Sequence, residues 1–162
     1  MKCERGSINA SRYTYLSDLL YEIFLAKPET LKSNQQVSIK EVLDCSDLQE
    51  FVNYWANKQI GKLQKGSVKG FIQDNRQINE LNVITQQVQE KIEKILQIRH
   101  LYSHRNGIVD EKFLQYFTEQ FDLNSEHQMS LSEICDELAY LVNIADQIDS
   151  SATSKYKLAL VS

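Results

Sequence analysis

The feature that most constrains the fold is the scarcity of residues that interrupt a helix. Pro28 is the only proline among 162 residues, and there are five glycines. A many-turned β-sandwich needs more turn residues than this, and no alternating apolar run predicts a strand. We therefore expect an all-α helical bundle. The length predicts a single domain over residues 1–162, with its core at about 11–150 and a frayed tail at 151–162.

Apolar residues recur at three- and four-residue spacing along most of the chain, and this period predicts helices. The predicted helices carry Tyr15–Phe24, Ile39–Leu43, Leu48–Leu63, Val68–Ile72, Asn82–His104, Phe113–Phe121 and Ile134–Ile148. Residue types that cap or stop helices stand near these boundaries. They are Ser46 or Asp47, Asp110, the capping-box pair Ser130 and Glu133, and the stop Asn106-Gly107.

Charge and cysteine content limit the class of protein. Lys and Arg number 18 against 22 acids, a formal net charge of −4, which counts against a protein that coats nucleic acid by charge alone. The cysteines Cys3, Cys45 and Cys135 are far apart, so we expect reduced thiols rather than a disulfide framework or a zinc site. The chain shows no apolar run of membrane-spanning length and no signal-peptide core. A cytoplasmic protein without membrane contact is expected.

The most unusual stretch of sequence is Arg99–Gly107, at the end of the strongest predicted helix. Two of the three histidines and two arginines fall within seven positions there. At roughly 100° per residue, Arg99 continues the apolar face of Ile92 and Leu96. A guanidinium cannot lose its proton, so on such a face it needs a carboxylate, a phosphate or a wet cleft. The alternative is a helix C-terminus where basic residues only complement the helix dipole.

The histidine spacing raises the question of a metal. His100 and His104 lie one helical turn apart, as in the zinc motif H-E-x-x-H, but Leu101 stands where that motif has its glutamate. His127 lies in a predicted loop with no paired ligand. We therefore predict no metal site and no cofactor.

Arg99 and His104 are of the residue types that cleave phosphodiesters. An arginine can hold a phosphate, and a histidine can move protons near neutral pH. RNA supplies its own nucleophile, the 2′-hydroxyl, so neither metal nor serine is needed. Five residues of regular helix place the two side chains roughly 140° apart. They can still share one substrate in a cleft between two copies of the helix related by a two-fold axis.

This pattern resembles the HEPN superfamily (higher eukaryotes and prokaryotes nucleotide-binding). Its motif is an arginine, four to six residues and a histidine, often with a polar residue directly after the arginine, where this chain has His100. The continuation His104–Asp110 is similar to the stretch H-x-N-G-I-V-D/N in some HEPN branches. The Trp55 helix and the Lys65–Lys69 loop are similar to the same branches. The resemblance covers roughly residues 48–148.

The resemblance implies a metal-independent endoribonuclease that leaves a 2′,3′-cyclic phosphate or a related end. Such proteins are usually homodimers with one RNA cleft between long helices, and they act as toxins or antiviral-defence effectors. RNA, a second copy, and an antitoxin or defence-system partner protein are therefore the expected partners. Arg99 and His104 would be catalytic. The expected supporting residues are His100, Ser103 and Asn106, and the expected RNA contacts are Arg105, Tyr102 and Lys112.

Two other interpretations remain open. The first is a non-catalytic HEPN module that binds RNA, a nucleotide or a partner protein. The second is a structural helical domain in which Arg99 and His104 only complement a helix end.

Overall fold

The computed structural model describes residues 14–32, 36–63, 70, 72, 75–117 and 120–158. We number the α-helices α1 (Thr14–Ala26), α2 (Ile39–Leu43), α3 (Leu48–Leu63), α4 (Arg76–Asn79), α5 (Gln86–Arg105), α6 (Glu111–Leu114) and α7 (Leu131–Tyr156). A short 3₁₀ helix covers Pro28–Leu31. The described residues form no strand beyond one isolated antiparallel bridge between Ile108 and Glu126. The prediction of an all-α fold is therefore confirmed.

Contacts between residues divide the chain into two compact units. Unit 1 comprises Met1–Glu80 with Ala152–Ser162, and unit 2 comprises Leu81–Ser151. The single-domain organisation stays a prediction. The Lys65–Lys69 loop lies outside the described residues, as does most of the helix predicted at Val68–Ile72.

Unit 1 is built on the packing of α1 against α3. Helix α1 ends before Pro28, as predicted, and the proline begins the 3₁₀ helix, where its missing N–H removes no hydrogen bond. Helix α3 begins with the expected cap, since Asp47 Oδ1 accepts a hydrogen bond from Glu50 N at 2.8 Å. The two helices bury Leu19, Leu20, Ile23, Phe24, Trp55, Ala56 and Ile60.

Helix α2 has the bounds that the sequence predicts, although none of its residues is buried. Polar contacts hold it instead. Ser38 and Glu41 form a capping box, and the Glu41 carboxylate also accepts hydrogen bonds from Lys58 and Tyr54 on α3. Chiefly because the Lys58 ammonium donates to it, the pKa of Glu41 is lowered to about 2.

The prediction of a frayed tail is wrong for residues 151–156, which continue α7. Tyr156 is buried, and its hydroxyl donates to the Gln77 carbonyl at 3.0 Å. The Lys155 ammonium donates to both the carbonyl and the carboxylate of Glu80, each at 2.9 Å. Contacts with residues more than 70 positions earlier hold this turn, so its local composition did not predict it.

Helix α5 in unit 2 ends where the sequence predicts. Asn106 adopts φ 52° and Gly107 φ 80°, both in the left-handed region. The amides of both residues donate to the Leu101 carbonyl. This is the C-terminal geometry that asparagine and glycine favour, and it stops the helix one residue after His104.

Two predicted boundaries in unit 2 are wrong. Helix α5 begins at Gln86 rather than Asn82, because the Thr85 hydroxyl caps its first turn. Helix α6 begins as predicted, with Asp110 Oδ1 accepting from Phe113 N at 2.8 Å, but it ends at Leu114 rather than Phe121.

The core of unit 2 explains why α6 is short. Phe113 stacks on Phe117 with ring centroids 4.3 Å apart, and Phe121 meets both rings edge-on. This aromatic cluster packs with Leu101 and Val109, so the chain turns where the three rings meet, with Phe113 and Phe117 buried and Phe121 partly buried. The packing of these rings therefore favours a turn after Leu114 over a longer α6.

Backbone hydrogen bonds join two short segments around the isolated antiparallel bridge between Ile108 and Glu126. Val109 N donates to Ser125 O and Asn124 N to Val109 O, each at 2.9 Å. His127 N donates to Gly107 O at 2.8 Å. The turn after α5 is thereby attached to the segment that leads into α7.

The last helix begins as predicted, at the Ser130–Glu133 capping box. In the part of the chain that the structure describes, no helix combines the length and apolar character required to cross a membrane.

Candidate active site

The residues of the predicted motif occupy the last two turns of α5. Leu101 is 1% exposed and anchors these turns in the core of unit 2. His100 is half-buried. The exposed members are Arg99, Tyr102, Ser103, His104 and Arg105. One buried leucine therefore fixes the turn that presents the basic residues to solvent.

Arg99 lies in the wall of an apolar cavity of about 240 Å³ within unit 2. Its guanidinium makes no hydrogen bond or ion pair with any described residue. The other polar side chains in the wall are Tyr102 and Glu137. The apolar wall is formed by Ile95, Ile98, Met129, Ile134, Leu138 and Leu141. The cavity surface is apolar, so Arg99 contributes the aliphatic part of its side chain to this wall.

His100 and His104 lie beside each other on α5. Their ring centroids are 4.8 Å apart and the rings are tilted by 46°. His104 is exposed, so its ring nitrogens are accessible for proton transfer. Among the described residues, no group of three or more His, Cys, Asp or Glu side chains is placed to hold a metal ion.

Tyr102 joins α5 to the segment before α7. Its hydroxyl donates to the His127 carbonyl at 2.8 Å and lies 3.0 Å from His127 Nδ1. Because the one hydroxyl proton goes to the carbonyl, the Nδ1–H tautomer of His127 completes the second hydrogen bond. The hydroxyl predicted to contact RNA is thus used within unit 2, while the ring remains 42% exposed.

His127 itself is 6% exposed and is enclosed by aromatic rings. Its ring lies 4.9 Å from Phe121, 5.3 Å from Phe113 and 5.6 Å from Tyr102 between centroids. Burial lowers the pKa of His127 below 6.5, and it raises the pKa of Tyr102. Both shifts favour the neutral form of each side chain, and the hydrogen bonds between them link the end of α5 to the segment before α7.

The remaining predicted site residues lie around the end of α5. Arg105 Nε is 3.4 Å from Asp110 Oδ2, so this arginine already has a carboxylate partner. Asn106 contributes its backbone to the helix stop, and its side chain is exposed. Ser103 and Lys112 are exposed.

Four of the eight predicted site residues form two separate pairs. Arg99 and Tyr102 share the apolar cavity, whereas His100 and His104 share a ring contact. His104 is not part of the described cavity wall. Sequence reasoning did not predict the contact of His127 with Tyr102, and it did not identify Glu137. Each lies more than 20 residues along the chain from its partner on α5, and no local spacing links them.

Neither a protein-family model nor any curated protein or solved structure matched the chain in comparisons with known proteins.

Proposed function

We propose that this chain is a metal-independent endoribonuclease of the HEPN type. The observation that carries the proposal is the unpaired Arg99 guanidinium, one to two helical turns from the exposed His104 ring. Arg105 offers a useful contrast, because Asp110 already neutralises it. Arg99 is the arginine of this motif whose charge is available to a phosphate.

In the proposed reaction, Arg99 binds the phosphate between two nucleotides and stabilises the charge that develops on it. His104 accepts the proton of the 2′-hydroxyl as that oxygen attacks phosphorus. The bond to the 5′-oxygen breaks, and this leaving oxygen takes a proton from a second histidine. The products are a 2′,3′-cyclic phosphate and a 5′-hydroxyl. His100, in ring contact with His104, orients or polarises it.

A two-fold pair of chains completes this scheme. Five helical residues separate Arg99 from His104, a rotation of roughly 140°, so one copy does not direct both side chains at one atom. In a homodimer, Arg99 of one copy and His104 of the other act on the same phosphate. The second His104 is then in reach to protonate the leaving group. RNA enters the cleft between the two long helices and contacts Arg105, Tyr102 and Lys112.

The proposal also gives the protein a biological role, as a toxin or antiviral-defence effector. An antitoxin or a defence-system partner would then control it. The alternative is a HEPN module that binds RNA, a nucleotide or a partner protein without cleaving RNA. The following experiment distinguishes this module from the ribonuclease.

The full-length protein is incubated with total RNA in EDTA, as wild type and as His104→Ala. We expect cleavage by the wild type and a loss of about 100-fold or more in the variant, the usual contribution of a general acid–base group. Asn143→Ala, an exposed substitution on α7, is the control and should cleave like wild type.

The outcomes separate the interpretations. Equal cleavage by wild type and His104→Ala contradicts the assigned role of His104. RNA binding without cleavage by either protein favours the binding module. Cleavage that disappears in EDTA contradicts the metal-independent mechanism.

A further inference from the structure

The N-terminal half of α7 exposes a row of apolar side chains. Leu131, Leu138 and Val142 are 76%, 58% and 60% exposed. Spacings of seven and four residues place all three on one face of the helix. Ile134 is 42% exposed beside them. Single exposed apolar residues are ordinary, but a contiguous row of them favours a surface that another molecule covers.

The apolar cavity within unit 2 widens this row towards α5. Ile134 and Leu138 belong both to the row and to the cavity wall, and Ile95 and Ile98 stand in the wall on α5. Apolar side chains of a second molecule can enter this cavity without removing a polar group from water. We call the row and the cavity together the α7 surface.

The α7 surface carries opposite charges at its two ends. Asp149 is exposed and follows Val142 by seven residues, so it continues the face of the row at its C-terminal end. At the N-terminal end lies the end of α5, because Tyr102 is hydrogen-bonded to His127 just before α7. Arg99 is exposed there, with the aliphatic part of its side chain in the cavity wall. One end of the surface is therefore acidic and the other basic.

The contacts between α5 and α7 fix the level of these charges. The two helices run antiparallel, and Lys91 Nζ lies 3.6 Å from Glu137 Oε2, so Lys91 and Leu138 share about one level. Arg99 follows Lys91 by eight residues, and Asp149 follows Leu138 by eleven. At 1.5 Å per residue, Arg99 lies about 12 Å to one side of this level and Asp149 about 16 Å to the other. The two charges are thus at similar distances from Leu138.

We propose that the α7 surface binds the same surface of a second copy of this chain, with the two α7 helices antiparallel about a two-fold axis near Leu138. A two-fold contact joins a surface to itself, so the apolar rows of the two copies cover each other. Asp149 of each copy then lies near the level of Arg99 of the other, within reach of an arginine side chain. A parallel pair would instead bring like charges together at both ends, which is unfavourable.

This pair is different from the cleft in which the proposed ribonuclease acts. The two Arg99 side chains lie on the order of 24 Å apart along the helix axis, and each is neutralised by Asp149 of the other copy. If Arg99 binds the scissile phosphate, the α7 pair is therefore an inactive form that separates before cleavage. This consequence rests on the proposed function, whereas the pairing does not.

Sedimentation equilibrium of the full-length protein in a reducing buffer tests the pairing. We expect a reversible equilibrium between monomer and dimer. Val142→Glu places a charge in the apolar contact and should weaken dimerisation by about tenfold or more. Val142 is exposed and outside the cavity wall, so this change leaves the monomer folded. Asn143→Glu is the matched control, because it adds the same charge about 140° around the helix from Leu138 and should dimerise like wild type.

Charge reversal tests the register of the pair. Asp149→Arg and Arg99→Asp should each weaken dimerisation by about tenfold, because each places like charges opposite one another. The double variant exchanges the two charges and should recover the wild-type affinity to within about threefold. Asp136→Arg, at an exposed acid on the other side of α7, is the control for the change of charge.

A wild type that stays monomeric at every concentration would overturn the pairing and assign the α7 surface to a different molecule. Undiminished dimerisation of Val142→Glu would also overturn it. A double reversal that does not recover would overturn the antiparallel register.

Cleavage assays separate this inference from the ribonuclease proposal. A dimeric wild type, when neither it nor Val142→Glu cleaves RNA, keeps the pairing and overturns the ribonuclease. Cleavage by a dimeric wild type at the rate of monomeric Val142→Glu keeps the ribonuclease and overturns the inactive role of the pair.

Discussion

The substitution Tyr102→Phe tests the link that fixes the end of α5. It removes the hydroxyl that donates to the His127 carbonyl at 2.8 Å and lies 3.0 Å from Nδ1, and it keeps the ring. His127 is 6% exposed, so water does not readily replace the lost partner. Leaving a buried polar group unsatisfied costs about 1–3 kcal/mol, and we expect the free energy of unfolding to fall by that amount.

The assay is urea unfolding of the full-length protein, followed by far-UV circular dichroism. In a chain of this length, 1 kcal/mol corresponds to about 2–4 °C in Tm, so a thermal scan provides a second readout. Tyr140→Phe is the matched control. Its ring lies under the Lys91 ammonium at 3.9 Å, and no described residue bonds its hydroxyl, so we expect a change within about 0.5 kcal/mol.

A Tyr102→Phe protein as stable as wild type would refute this reasoning. Equal losses of stability in Tyr102→Phe and Tyr140→Phe would refute it as well, because a general effect of removing a tyrosine hydroxyl would then explain both losses. A larger loss for Tyr102→Phe alone supports the hydrogen bonds to His127 as the cause.

Three further predictions concern the same region. Burial lowers the pKa of His127 in the folded protein, so this histidine binds a proton more readily in the unfolded chain. The free energy of unfolding should therefore be highest above pH 6.5 and fall as the pH decreases towards the folded-state pKa. A urea midpoint that is unchanged from pH 7.5 to 5.5 would contradict this. Gly107→Ala should reduce stability by about 1–2 kcal/mol, since φ is +80° there; thermal unfolding checks this, and an unchanged Tm would refute it. Asp110→Ala removes the cap on Phe113 N and the ion pair with Arg105 and should cost about 1–2 kcal/mol in urea unfolding. Asp110→Asn keeps an acceptor and should recover most of this loss, and equal losses in both variants would contradict the capping role.

Sequence patterns predicted the features that depend on neighbouring residues. The cap at Asp110, the capping box at Ser130 and the stop at Asn106-Gly107 each involve residues within a few positions of one another. The helical period identified the long helices for the same reason, since side chains three or four apart share one face.

Features that depend on distant residues were not predictable in this way. The predicted helix through Phe121 stops early because three phenylalanine rings pack together. Residues 151–156 continue α7 because Tyr156 reaches Gln77. Among the site residues, spacing identified Arg99, but Glu137, which lines the same cavity, comes from another helix.

The most direct test of the ribonuclease proposal is the chemical nature of the RNA ends produced in EDTA. Attack by the 2′-hydroxyl, with His104 moving the protons, predicts 2′,3′-cyclic phosphate and 5′-hydroxyl ends from the wild type, and at least about 100-fold fewer of them from His104→Ala. Products with 3′-hydroxyl and 5′-phosphate ends, or identical products from both proteins, would contradict the proposed mechanism.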